Sequence, residues 1–240
     1  VTVNGNYALK GTIYAFENNV FKGTATNLEG IINLPGYSTV LSFEGDLINY
    51  GSIQHSEVHL YHNVTNYGTW YNQVTKFMGS EEKIIINTAG HPFDGVQISI
   101  MNADGVVKCG ANTEISADHF YLGDGELDCN GFILHANTVF HTGTISNADH
   151  IVLHGYYENV TIEGSTHLYG TNNMMFSTLN GTFINYDTIT APYPQAGNVL
   201  SVYGQFINEG DYYSLSMDLF GDLTNHGNLF SNSLLQVKGD

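Results

Sequence analysis

The chain has 240 residues, enough to bury a sizeable core, and a formal net charge of −17 from 23 acidic residues set against six lysines and no arginine. Such a surface repels phosphate backbones and anionic lipid, which excludes nucleic-acid binding, and no run nears the roughly 18 apolar residues that span a bilayer, so membrane insertion is not expected either. Charged residues make up only 12%, about half the globular norm; Gly, Asn and Tyr take up the difference, a bias of turn-rich, all-β extracellular proteins.

In chain order, "VTVNGN" (Val1 to Asn6) opens with apolar, any, apolar, any, Gly, polar. The same half-frame heads "LSFEGDLINYGSI" (Leu41 to Ile53) and, less closely, "VHLYHNVTNYGTW" (Val58 to Trp70). Leu41, Phe43, Leu47 and Ile53 share one parity, and period-two alternation predicts strands with one buried face. Asn49 and Gly51 keep that parity. The Asn is expected to point inward at a bend and stack on its counterparts in an amide ladder, and the Gly to supply the positive φ of the bend.

The middle of the chain, about Val96 to Gly170, carries weaker copies such as "LDCNG", "VFHTG" and "IVLHG", which suggest two or three short strands per turn. Cys109 and Cys129 lie 20 positions apart, close to one turn; stacked buried thiols and a disulfide are both compatible with that spacing. Between them, "SADHFYLGDGELDCNG" holds Asp118, Asp124, Glu126 and Asp128. Carboxylates at alternate strand positions point to one side, and a hard calcium ion is the candidate ligand of these four; a solvated acidic loop is the competing reading. No other cofactor is expected. Histidines gather at His55, His59 and His62 and again at His135, His141, His150 and His154, with His141 and His154 placed as neighbours on successive turns. Zinc needs three or four ligands of defined geometry, so these side chains are read as surface or turn-filling groups.

The frame returns at full strength in "STLNGTFINYDTI" (Ser177 to Ile189), "LSVYGQFINEGDY" (Leu200 to Tyr212) and "MDLFGDLTNHGNL" (Met217 to Leu229). The framing Asn49 and Asn66 are 17 residues apart, and Asn185, Asn208 and Asn225 follow at intervals of 23 and 17. A repeat of this size is the mark of a solenoid with loops of varying length between constant rungs. No helical period persists, and "LQVKGD" (Leu235 to Asp240) stops in the phase in which Val1 began, so residues 1–240 are expected to be one solenoid segment of a longer repetitive parent. About a dozen turns at ~4.8 Å give a rod of roughly 50 to 60 Å, and crossover handedness favours a right-handed coil.

The elements "GDLINYGSI", "GTFINYDTI" and "GDLTNHGNL" resemble the Gly-x-Leu-x-Asn-x-Gly-x-Ile rungs of bacterial surface β-solenoids, the filamentous haemagglutinin-like adhesins and autotransporter passenger domains. The resemblance implies an all-β, right-handed, single-stranded parallel β-helix, secreted or displayed on a bacterial surface. It implies a non-catalytic shaft flanked by further repeats of its parent, with a cell-surface glycan or a protein as partner. Outward aromatics just after the frame Asn (Tyr50, Tyr67, Tyr186) or near the first frame Gly (Tyr61, Tyr203, Phe220) are the candidate binding residues, read as platforms for sugar rings or another protein. Two rivals remain. Pectin-lyase-like β-helix enzymes cleave polysaccharide, but the absence of arginine removes their usual substrate clamp and base and leaves only Lys, His or carboxylates. A trimeric phage tailspike-like fibre is the other.

Overall fold

Most strands bury every second side chain, and those away from the two ends bond their backbone to the strands one turn before and one turn after, so the alternating pattern closes into a coil. In the computed structural model, which describes residues 1–15, 17–33, 39–190 and 199–238, the chain is a parallel β-solenoid of about 12 turns, with 25 strands in one continuous sheet and no helix among the described residues. Of the four prolines, Pro35, Pro192 and Pro194 lie outside the described residues; Pro92 directly precedes the strand Phe93–Ile100. A turn carries up to three short strands, for example Val40–Phe43, Leu47–Asn49 and the first part of Ser52–Leu60, which bends near Ser56 and runs on into the next turn.

Register is kept from turn to turn. Leu47 lies beside Val64 and Val64 beside Ile85, all pointing inward. Buried rings stack along the axis: Phe21 on Phe43 with centroids 5.3 Å apart, and Phe120, Phe140 and Tyr157 in a column at 5.6 and 5.7 Å. Each such side chain, removed from water, contributes on the order of 1.5–3 kcal/mol.

The amide ladder exists in two pieces. Asn27, Asn49, Asn66 and Asn87 are in register, and Asn27 Nδ2 donates to Asn49 Oδ1 and Asn49 Nδ2 to Asn66 Oδ1, each at 2.7 Å. Asn185, Asn208 and Asn225 repeat the pattern at 2.7 and 2.8 Å. The same Nδ2 groups also donate to corner carbonyls, Asn49 to Thr69 O at 3.2 Å and Asn208 to Asn228 O at 3.0 Å, so the ladder satisfies backbone that the bend would otherwise leave unpaired.

The glycine two residues after the Asn has a different reason from the one expected. Gly51, Gly68, Gly210 and Gly227 do not have positive φ. A Cβ on Gly68 would instead collide with the carbonyl oxygen of Gly51 one turn away, and one on Gly227 with that of Gly210. The turns approach each other too closely at this corner for any side chain.

Of the two arrangements open for the cysteines, the structure has free thiols: Cys109 and Cys129 are both buried, Cys109 ending the strand Val106–Cys109 and Cys129 directly following the strand Glu126–Asp128 one turn on, and they hydrogen-bond to each other. That bond, then burial, pushes the Cys129 thiol well above its ordinary value. A lysine also lies inside. Lys83 is 1% exposed, and its Nζ donates to the carbonyls of Gly79 at 3.1 Å and Glu81 at 2.6 Å.

Candidate functional site

The candidate aromatics face outward, but paired. Tyr50 and Tyr67, 54% and 39% exposed, stack on each other at 5.0 Å and 16°. Tyr186 stacks on Tyr169 at 4.9 Å, and Tyr169 in turn on His150 at 5.4 Å. Tyr203 and Phe220 lie parallel at 4.5 Å and 3°, with Lys238 Nζ 4.9 Å from the Phe220 centroid, and Tyr61 is half-buried. Rings that stack along the rod axis turn their faces to one another and their edges to solvent. These rows therefore stabilise successive turns and offer outward edges and hydroxyls rather than open platforms.

The four acidic candidates do not converge. Asp118 is exposed on the strand Thr113–Tyr121, and the chain turns at Leu122–Gly125, which carries the exposed Asp124, before Glu126 and Asp128 appear on the next strand. Glu126 accepts from the Ser146 hydroxyl; Asp128 accepts from Asn130 N at 2.8 Å and Asn147 Nδ2 at 3.1 Å and pairs with Lys108 at 3.6 Å. Alternate carboxylates share a side only while a strand runs straight. Among the described residues no group of three or more His, Cys, Asp or Glu is placed to hold a metal ion. His141 and His154 are not neighbours either: His141 lies beside Glu158 and Tyr121, while His154 follows Leu153, which pairs with Ala136.

The structure gathers its densest polar chemistry on one outward sheet face. Two columns run in continuous register over six turns: Glu57, Val74, Gln97, His119, Val139 and Tyr156, and beside them His59, Lys76, Ser99, Tyr121, His141 and Glu158. The residues between them, Val58, Thr75, Ile98, Phe120, Phe140 and Tyr157, are buried in the core, so the two columns point away from it. Five inter-turn steps make the face about 24 Å long.

Its polar groups hold one another. Glu57 Oε1 accepts from Lys76 Nζ at 2.5 Å and lies 2.6 Å from His59 Nε2. The Lys76 ammonium, with help from His59, holds the Glu57 carboxyl below its ordinary range against the opposing effect of burial. Gln97 Nε2 donates to Ser99 Oγ at 2.8 Å. Further along, His119 Nδ1 and His141 Nε2 are 3.1 Å apart, His141 Nδ1 lies 3.0 Å from Glu158 Oε2, and the Tyr121 ring covers His141 at 4.4 Å and 10°. With both imidazoles neutral and His141 Nδ1–H donating to Glu158, His141 Nε2 presents a lone pair that accepts from His119 Nδ1–H. Most of these side chains are half-buried although they face outward, Tyr121 being the exposed one and Ser99 the buried one.

A second face carries a shallow depression of about 250 Å³ lined by Glu114, Ser116, His135, Asn137, Val152 and His154, with further contributions from Pro92 and the backbone beneath. Its carboxylate is already engaged, Glu114 Oε2 accepting from Gly90 N at 3.0 Å. In the sequence, His59 and His141 stand out only as members of scattered histidine groups, and His119 lies in the acidic stretch "SADHFYLGDGELDCNG". The signal that joins them is the turn-length spacing of outward polar residues, 22 from His119 to His141 and 17 from His141 to Glu158. Comparison with protein-family models, with curated proteins and with solved structures found no match for this chain. What the structure shows is the parallel β-solenoid fold and its repeat.

Proposed function

We propose that this chain is a non-catalytic β-solenoid shaft of a secreted or cell-surface protein, and that it binds an extended, uncharged glycan along the face running from Glu57 and His59 to Tyr156 and Glu158. The observation that carries the reading is the unbroken register, over six turns, of outward side chains that are mostly polar and half-buried. A linear polymer is matched by a linear site, and the inter-turn step of about 4.8 Å is close to the length of one pyranose unit. Donors and acceptors fixed by mutual hydrogen bonds lose little freedom on binding. Val74, Val139 and the outward edge of the Tyr121 ring interleave with them and suit the C–H groups of sugars, whereas a stable protein partner calls for a larger apolar centre. The net charge of −17 disfavours acidic polymers.

The test is incubation with neutral polysaccharides (xylan, galactomannan, mixed-linkage glucan) and acidic ones (pectin, alginate), with and without calcium, reading retention and released oligosaccharide. Retention on neutral polymers without release supports the reading; retention on acidic polymers alone contradicts it. Release would favour a second reading, polysaccharide cleavage, for which the Glu158–His141–His119 chain supplies the specific geometry, with His119 as base and the two partners orienting it.

A further inference from the structure

We infer that His119 and His141 form a binding site for a divalent transition-metal ion of the copper and zinc class. His119 Nδ1 and His141 Nε2, on adjacent turns, are 3.1 Å apart. Two imidazole nitrogens at 2.0–2.1 Å from one ion are about 2.9 Å apart when cis in a square plane and about 3.3 Å apart in a tetrahedron, so the pair already stands at chelating separation. The backbone register that sets this spacing is part of the solenoid and does not depend on the ion.

The surroundings meet the other needs of such a site. Metal-ligating histidines donate their second ring N–H to a carboxylate, which fixes the tautomer and raises basicity; His141 Nδ1 is within 3.0 Å of Glu158 Oε2. The stacked Tyr121 ring fixes the plane of His141. Without metal, the two nitrogens share the proton on His119 Nδ1. On binding, that proton moves to His119 Nε2, both lone pairs face the ion, and no net proton is released. No third His, Cys, Asp or Glu joins them among the described residues, so water fills the remaining positions and the site is an open one. The high negative charge of the chain raises the local concentration of cations. Cupric ion is the tightest binder expected in the divalent series. The site is independent of whether the face binds a glycan.

The experiment is titration of the purified chain with Cu²⁺ and with Zn²⁺ near neutral pH, with the number of coordinated imidazoles counted on the cupric form by pulsed electron paramagnetic resonance. The wild type is expected to show two. His119→Ala and His141→Ala should each lose one imidazole and weaken binding by about tenfold or more, and Glu158→Gln should keep two imidazoles while weakening binding by about 10- to 100-fold. His135→Ala with His154→Ala on the other face serves as control and should change neither quantity. His119→Gln and His141→Gln repeat the test in variants whose unfolding temperature matches the wild type. A single imidazole in the wild type, or a spectrum that survives in the His119→Ala/His141→Ala double variant, overturns the site and leaves the pair as a shared proton only.

Discussion

Asn185 donates its Nδ2 to Asn208 Oδ1 at 2.7 Å across one turn, while its own Oδ1, in register with Leu168 on the other side, has no donor among the described residues. The ladder thus has a direction and a beginning. Asn208, inside it, accepts from Asn185 and donates to Asn225 at 2.8 Å, Gly210 O at 3.0 Å and Asn228 O at 3.0 Å. Asn208→Ala should cost about 1–3 kcal/mol, because buried acceptors lose their donor. Asn225→Ala, at an exposed position, should cost less. Equilibrium urea denaturation of the two variants checks the order; equal losses would contradict the ladder.

The beginning of the ladder gives a second test. Leu168 and Leu179 are both fully buried, but only Leu168 sits beside an unmatched amide oxygen. Leu179→Asn buries an amide among Ile162 and Val202, which offer no partner. Leu168→Asn can donate to Asn185 Oδ1 and extend the column. Its loss of stability should be smaller by about 1 kcal/mol or more, read from denaturation midpoints.

His55 predicts a pH dependence. It is buried, with Nε2 3.2 Å from Thr39 Oγ1 and Nδ1 3.0 Å from Glu57 O, and burial lowers its pKa below the ordinary histidine value. Below about pH 6.5 the unfolded chain takes up this proton before the folded one does, so stability conferred by neutral His55 is present above that pH and is lost as pH falls toward the lowered folded value. The stability difference between wild type and His55→Asn should therefore shrink between pH 7 and pH 5. A difference independent of pH would show that the imidazole titrates normally in the fold.

Lys83 behaves in the opposite part of the scale. Burial lowers its pKa, with the nearby Glu81 partly offsetting it. In the window below about 10.4 the folded chain holds fewer protons at this site than the unfolded one, so the cost of the buried ammonium is full at neutral pH and is relieved as pH rises through that window. Relative to Lys83→Met, the wild type should gain stability from pH 7 to pH 10. Thermal unfolding at both pH values measures it, and a constant gap contradicts a burial-depressed lysine.

Much of the fold is legible in the sequence because its cause is local. The parity of Leu41, Phe43 and Leu47 is the parity of the core, and Asn49 and Asn66 sit where the corner needs an amide. What is not legible depends on neighbours one turn away. Gly68 looks like a bend residue but answers to the Gly51 carbonyl, and Tyr50 looks like an open platform but spends a face on Tyr67. Asp118 and Glu126 read as one acidic cluster until a turn separates them onto different strands. The Glu57-to-Glu158 face was hidden for the same reason: its members are brought together by turns of unequal length, 22 residues from His119 to His141 and 17 from His141 to Glu158, so no single fixed period marks them.

Affinity electrophoresis through gels containing neutral polysaccharide reads out whether this face holds an uncharged glycan. Wild type, a Lys76→Ala/Tyr121→Ala/His141→Ala variant and the His135→Ala/His154→Ala control are run side by side, after their unfolding temperatures show that all three are folded. The account predicts retardation of wild type and control and binding weaker by about tenfold or more in the triple variant, since several hydrogen bonds and a ring contact are removed together. Equal retardation of the triple variant and the wild type would contradict it.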